Sequence, residues 1–267
     1  MGRPKRPRSL SPGLSRQSRG KSLLPLLVVV AMAVGAFYLL RPMTFGADAE
    51  IRHPAPERSG TLVLRVGAGD ITLRGGSGGE VVVRARFSGR ANAPAEKVSQ
   101  AKLAWQNVPG QMILQVQPPP GLRADQLRVD LDVELPARTP VEADTTQGRI
   151  SIESMAAKVR ARAADGSIDV RDGRGELDLT AGGAVSVVCR HEAATANNIR
   201  VFSSGGDIDV RLPGQLSAAV EILAPADRVQ TGLPLKPRPF TNCLQGTLGS
   251  GRGLIHLEAA KGVVRLR

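Results

Sequence analysis

The sequence predicts an all-β domain behind one N-terminal transmembrane helix, on three observations. Pairs of apolar residues two apart recur at intervals of about nine residues between Leu62 and Leu266. Turns containing glycine fall between the pairs. Residues 22–40, SLLPLLVVVAMAVGAFYLL, carry no charge.

Residues 1–21 hold Arg3, Lys5, Arg6, Arg8, Arg16, Arg19 and Lys21 among Ser, Pro and Gly with no acidic residue, so a disordered basic tail is expected. The run at 22–40 approaches the ~20 apolar residues that cross a bilayer and shows no polar face. Ala47-Asp48-Ala49 before Glu50 imitates a signal-peptide cleavage site. The apolar run is longer than the roughly 7–15 residues of a signal-peptide core, and Arg41 and Pro42 set it at an atypical distance. An uncleaved span is therefore expected, with a cleaved signal peptide as the alternative. The basic bias before the span places the tail in the cytoplasm and everything from about Arg41 outside it. Residues 41–60, with Pro54 and Pro56, read as a stalk, and 61–267 as the exported domain. The tail contributes more than half of the net charge of +12, which orientation and anionic lipid explain. Nucleic-acid binding would need aromatic platforms or a known module, and neither is visible.

Within 61–267, Leu62/Leu64, Ile71/Leu73 and Val81/Val83 are the first apolar pairs. Ile150/Ile152, Val159/Ala161, Ile168/Val170, Leu177/Leu179 and Val185/Val187 follow at regular spacing. Ile199/Val201, Ile208/Val210, Ile255/Leu257 and Val264/Leu266 resume it. Period two means strands with one buried face. A strand and a turn in about nine residues make a coil of about 18, a β-solenoid or β-helix-like repeat. An antiparallel β-sandwich of hairpins gives similar spacing and is the alternative. One helix is expected within 94–105, where Val98, Ala101 and Trp105 lie three and four apart.

The run Val129-Asp130-Leu131-Asp132-Val133-Glu134-Leu135-Pro136-Ala137, then Thr139-Pro140-Val141 and Thr146-Gln147-Gly148-Arg149-Ile150-Ser151-Ile152, resembles the bacterial putative-adhesin domain of unknown function. Repeated Gly-x-Ile-x-Val units and Leu212-Pro213 after Ile208-Asp209-Val210 extend the resemblance over roughly 61–267. It implies a repetitive β domain behind a membrane anchor, adhesion by name only, and no catalytic residues. The implied location is the bacterial cytoplasmic (inner) membrane, single-pass, with the C-terminal domain extracytoplasmic or periplasmic. The repeat is interrupted at 188–198 and 225–240, where individual function is expected to sit.

Chemistry-bearing residues are sparse. His53, His191 and His256 are isolated, and His256, between Ile255 and Leu257, should point outward. Asp130, Asp132 and Glu134 share one strand face. They could hold Ca²⁺ or act as acid and base, but pairing with Arg123, Arg128, Arg149 or Arg160 is the preferred reading. Asp165, Asp169 and Asp172 have a spacing that does not repeat along the coils, and the glycine runs at 75–79 and 249–253 lead into strands rather than helices. No catalytic, cofactor or metal residue is assigned. Cys189 and Cys243 are the disulfide candidates; a bond would close a loop of about 54 residues and add roughly 4 kcal/mol. Two separate buried thiols are the alternative. Val263, Val264, Arg265 and Leu266 suggest an open strand edge for strand addition, with Arg265 and Arg267 as charges that would blunt it.

The expectation is a non-enzymatic envelope protein, an adhesin-like binding or scaffold domain without cofactors. Its partners are the membrane and an envelope protein or a second copy, with no nucleic acid or small-molecule substrate. A periplasmic carboxylate-dependent hydrolase and an envelope-stress sensing partner are the alternatives.

Overall fold

In the computed structural model, described for residues 46–56, 60–90, 93–123, 126–189, 198–214, 217–239 and 241–267, each apolar pair becomes a strand with those residues inward. The predicted tail and span lie outside the described residues, as do His191 and most of the first interruption. Among the described residues no helix is long and apolar enough to cross a membrane.

The N-terminal part comprises β1 (Gly46–Pro54), β2 (Thr61–Ala68), β3 (Ile71–Gly76), β4 (Glu80–Gly89), one helical turn α1 (Ala95–Val98), β5 (Lys102–Val108), β6 (Gln111–Gln117) and β7 (Leu127–Pro136). The middle comprises β8 (Val141–Gln147), β9 (Ile150–Glu153), β10 (Val159–Ala163), β11 (Ile168–Arg171), β12 (Leu177–Ala181), β13 (Val185–Val188), β14 (Asn198–Ser203) and β15 (Ile208–Arg211). Last come β16 (Ala218–Leu223), β17 (Val229–Thr231), β18 (Lys236–Pro237), β19 (Cys243–Leu248), β20 (Gly253–Ala259) and β21 (Val264–Leu266).

The strands form two sheets. Sheet A runs β1-β4-β7-β3-β9-β11-β13-β15-β21-β17, and sheet B runs β18-β19-β16-β20-β14-β12-β10-β8-β2-β6-β5. From β8 to β15 consecutive strands alternate between the sheets, and neighbours within each sheet are parallel. Antiparallel pairs occur toward the two ends, at β1-β4-β7, β5-β6 and β16-β19-β18. The register stacks like on like: Ile150, Ile168, Val185, Ile208 and Val264 share one row of sheet A. Val141, Val159, Leu177, Ile199 and Ile255 share one row of sheet B. These residues belong to one continuous apolar cluster between the sheets. Truncating one such side chain to Ala costs about 2–5 kcal/mol, so the rows dominate stability.

One row of turns, where sheet B strands hand over to sheet A, is built on stacked glycines. A Cβ on Gly148 would collide with the Gly69 carbonyl oxygen, one on Gly166 with Gly148, and one on Gly262 with Gly206. Gly148 also needs its positive φ of 152°, but at Gly166 the backbone of the next layer is the constraint. Glycine is thus required here mainly by close approach rather than by turn conformation.

Four expectations are corrected. The stalk at 41–60 contains β1, which pairs along its whole length with β4, so the domain starts by Gly46. The helix at 94–105 shrinks to α1, because Trp105 lies in β5, paired across the turn at Gly110 with β6; hairpin pairing overrides a three-and-four spacing only twelve residues long. The suggested edge at Val263, Val264, Arg265 and Leu266 is interior, since β21 is flanked by β15 and β17. The Cys189–Cys243 bond is absent and both are buried free thiols. Cys189 joins the core between the sheets, whereas the Cys243 sulfur donates to Glu221 Oε1 at 3.7 Å on the outer face of sheet B. Burial, with Asp172 near, pushes the Cys189 thiol up to about 11, which keeps it protonated and unreactive.

Candidate functional site

The densest array of functional side chains lies on the outer face of sheet A at its β1 end. In β7 the alternation buries Val129, Leu131, Val133 and Leu135 and turns Asp130, Asp132 and Glu134 outward. β4 presents Arg84 and Arg86 between inward Val83, Ala85 and Phe87, and β1 presents Asp48 and Glu50. Register then sets acid beside base: Asp48, Arg86 and Asp130 form one row, and Glu50, Arg84 and Asp132 the next. With Asp70 and Thr72 they line an open groove of about 620 Å³.

Each β7 carboxylate is matched to a guanidinium. Arg128 Nη2 lies 3.0 Å from Asp130 and 2.9 Å from Asp70. Arg74 Nη1 donates to both Asp132 oxygens at 2.7 and 2.8 Å, and Arg84 Nη1 donates to Glu134 at 2.8 Å. Arg84 also reaches Glu50 at 3.2 Å, and Arg86 reaches Asp48 at 3.4 Å. The Arg52 and Arg84 guanidiniums hold the Glu50 carboxyl below its usual range, while Asp132 and Glu134 raise Arg74 and Arg84 respectively. Solvent screens exposed pairs of this kind, so they shape a surface more than they hold the fold.

The preferred pairing reading thus describes this face, with a partial change of partners. Arg128 was expected, Arg74 and Arg84 were not, Arg149 donates from Nε to Ser167 at 3.3 Å, and Arg160 pairs with Asp178 at 3.2 Å on sheet B. Glycoside cleavage needs one carboxyl kept protonated opposite an ionised one. Carboxylates locked to guanidiniums are the reverse arrangement. On sheet B, burial followed by Glu142 raises the Asp144 carboxyl, with Arg65, Arg162 and Arg160 opposing the shift. No cluster of three or more His, Cys, Asp or Glu suited to a metal occurs among the described residues.

Other expected positions are dispersed. His256 does face outward, its Nδ1 3.0 Å from Glu221 and its Nε2 3.9 Å from Glu258. His53 is the penultimate residue of β1, with its ring 5.4 Å from that of Trp105. Asp169 pairs with Arg171 at 3.0 Å, and Asp172 occupies a positive φ of 57° beside Arg174. Sequence reasoning missed Asp70 and Asp207. Asp70 Oδ1 accepts from Arg149 N at 2.7 Å, and Asp207 Oδ1 accepts from Val263 N at 2.9 Å, each tying one layer to the next. Their signal is the place directly after a stacked glycine and before an inward Ile, in Gly69-Asp70-Ile71 and Gly206-Asp207-Ile208.

No family model and no curated protein matches the chain. Two solved structures are similar to it. One, from Clostridium sporogenes and named a putative cell adhesion protein, has 13% identity and a TM-score of 0.45, covering 82% of this chain and 98% of its own. The other, from Bacteroides fragilis and named a putative adhesin, has 10% identity and a TM-score of 0.26, covering 82% of this chain and 96% of its own.

Proposed function

We propose that the chain is a non-enzymatic, adhesin-like envelope protein. Residues 22–40 anchor it in the cytoplasmic membrane with the basic tail inside, and its β domain, read as a β-solenoid with antiparallel ends, binds another envelope protein outside. The observation that carries the binding reading is the acid–base groove on β1, β4, β7 and β3. Its charges are fixed in register by the strands, lie open to solvent and contribute little to stability, which suits an extended polar partner surface better than a small substrate. The carboxylate–guanidinium pairing speaks against the hydrolase reading.

The test uses the full chain in its native membrane with a photo-crosslinker at Thr72. Capture of a partner band that Arg86→Glu abolishes, while Arg65→Glu on sheet B leaves it unchanged, is the expected result. Equal capture in both variants overturns the groove. Topology is tested separately with a membrane-impermeant thiol label: a Ser59→Cys variant should react in intact spheroplasts and a Ser9→Cys variant should not. The reverse pattern removes the compartment assignment.

A further inference from the structure

The unit β20–β21 is built into the domain out of chain order. β20 lies between β14 and β16, and β21 between β15 and β17, although β16 and β17 precede both in sequence. The chain up to Leu248 therefore forms both walls of a slot one two-strand unit wide. The unit fills it in parallel register on each side. Ile255 sits opposite Ile199 and Val220, Leu257 opposite Val201 and Ile222, and Val264 opposite Ile208 and Val229.

Polar contacts latch the unit at both strands: His256 to Glu221 at 3.0 Å, and Arg265 to Asp207 at 2.9 Å and to Gln230 at 3.2 Å. The tether is the tight turn between Leu248 and Gly253. It passes over the start of β16, with Gly249 and Gly251 at positive φ of 56° and 69° and the Ser250 hydroxyl 2.7 Å from that of Ser217. Straightening this turn gives up the hydrogen bonds of Ser250, Arg252 and Gly253 to Ser217 and of Gly251 to Leu248, but it uncovers no buried side chain. A short hinge beside an element that docks as a whole is the arrangement that permits exchange between copies.

We infer that the slot is a strand-acceptor site for the β20–β21 unit of a second copy of this chain, giving a reciprocal dimer. Each copy completes both sheets of the other with the same rows of Ile, Leu and Val, and only the hinge turn changes conformation. The groove on sheet A plays no part in it.

The test uses the full chain with Cys189→Ala and Cys243→Ala, carrying either Asp209→Cys or Arg265→Cys, positions opposite each other in β15 and β21. Mixed at high concentration, warmed and oxidised, the two should yield a heterodimer linked through these positions. A chain carrying both substitutions should close the bond internally, and its dimer should be lost. Linkage no greater than that of Asp209→Cys mixed with Arg65→Cys overturns the inference. A second measurement needs no substitution: light scattering and hydrogen exchange on the unaltered chain refolded at high concentration. A dimer whose β20–β21 amides stay as protected as in the monomer supports exchange, and a chain that is monomeric at every concentration overturns it.

Discussion

The middle of the domain, β8 to β15, and its last part, β16 to β21, use the same residues to different ends. Ile199/Val201 in β14 and Ile255/Leu257 in β20 are equivalent in pattern, burial and pairing. Yet β14 stacks on β12, the preceding strand of its sheet, whereas β20 slips between two strands laid down earlier. The comparison separates two kinds of information. Alternation fixes that a segment is a strand and which face is buried, because it is local. Position in the stack is fixed by which neighbours still lack a partner, which is a property of the whole chain.

The largest effect that would break the comparison concerns the glycine row of the middle. Gly166→Val would drive a side chain into the Gly148 carbonyl, and a loss of about 3 kcal/mol or more is expected from denaturant midpoints, enough to threaten folding. Gly67→Ala, whose Cβ would meet nothing within 4 Å, should stay within about 0.5 kcal/mol. Equal costs would show that the row does not set the spacing of the layers.

A middle-sized effect sharpens the contrast. Leu179→Ala in β12 and Leu257→Ala in β20 remove side chains of equal burial, and each should cost about 2–5 kcal/mol. Native-state hydrogen exchange should distinguish them: Leu257→Ala should deprotect β20 and β21 while β10 and β12 keep their protection, and Leu179→Ala should weaken the whole middle. Uniform loss in both variants would mean that the last unit has no independence.

The smallest effect is in acid. The Val263 amide, followed by the Arg265 guanidinium, holds the Asp207 carboxyl below its ordinary value. A depressed folded-state value contributes stability that is present above the unfolded value and lost as pH falls through the folded one, so the window lies below about pH 4. Because the pair is half-exposed, about 1 kcal/mol or less is at stake. Asp207→Asn should flatten the acid limb of a pH–stability curve and lower the plateau at neutral pH. An unchanged acid limb would remove Asp207 from the latch.

The residues themselves show why some features were legible and others were not. Every apolar pair named from sequence, from Leu62/Leu64 to Val264/Leu266, lies in the core, since a period of two with β-branched residues has one inexpensive solution. β1 hid behind Pro54 and Pro56 and charged outward residues, and its partner β4 lies some thirty residues further on. The carboxylates of β7 were visible as a face, but their partners Arg74 and Arg84 sit on strands that only the sheet order makes adjacent. The interior place of β21 and the separation of Cys189 from Cys243 by a sheet are likewise facts of order, which no local pattern carries.

The glycine turns also govern how such a domain can grow. At the stacked glycines of that row no Cβ fits between layers, so one added residue there would lift a layer off its neighbours and disturb the register above it. Whole repeats are a different matter: a duplicated two-strand unit brings its own glycine and extends the row without disturbance. Extra residues can enter on the opposite row, where sheet A strands return to sheet B, and there the chain places one of its two departures from the repeat, between β13 and β14. Between β8 and β15 the architecture therefore sorts sequence change by location, counting in whole units along the glycine row and placing its one long connection on the other side.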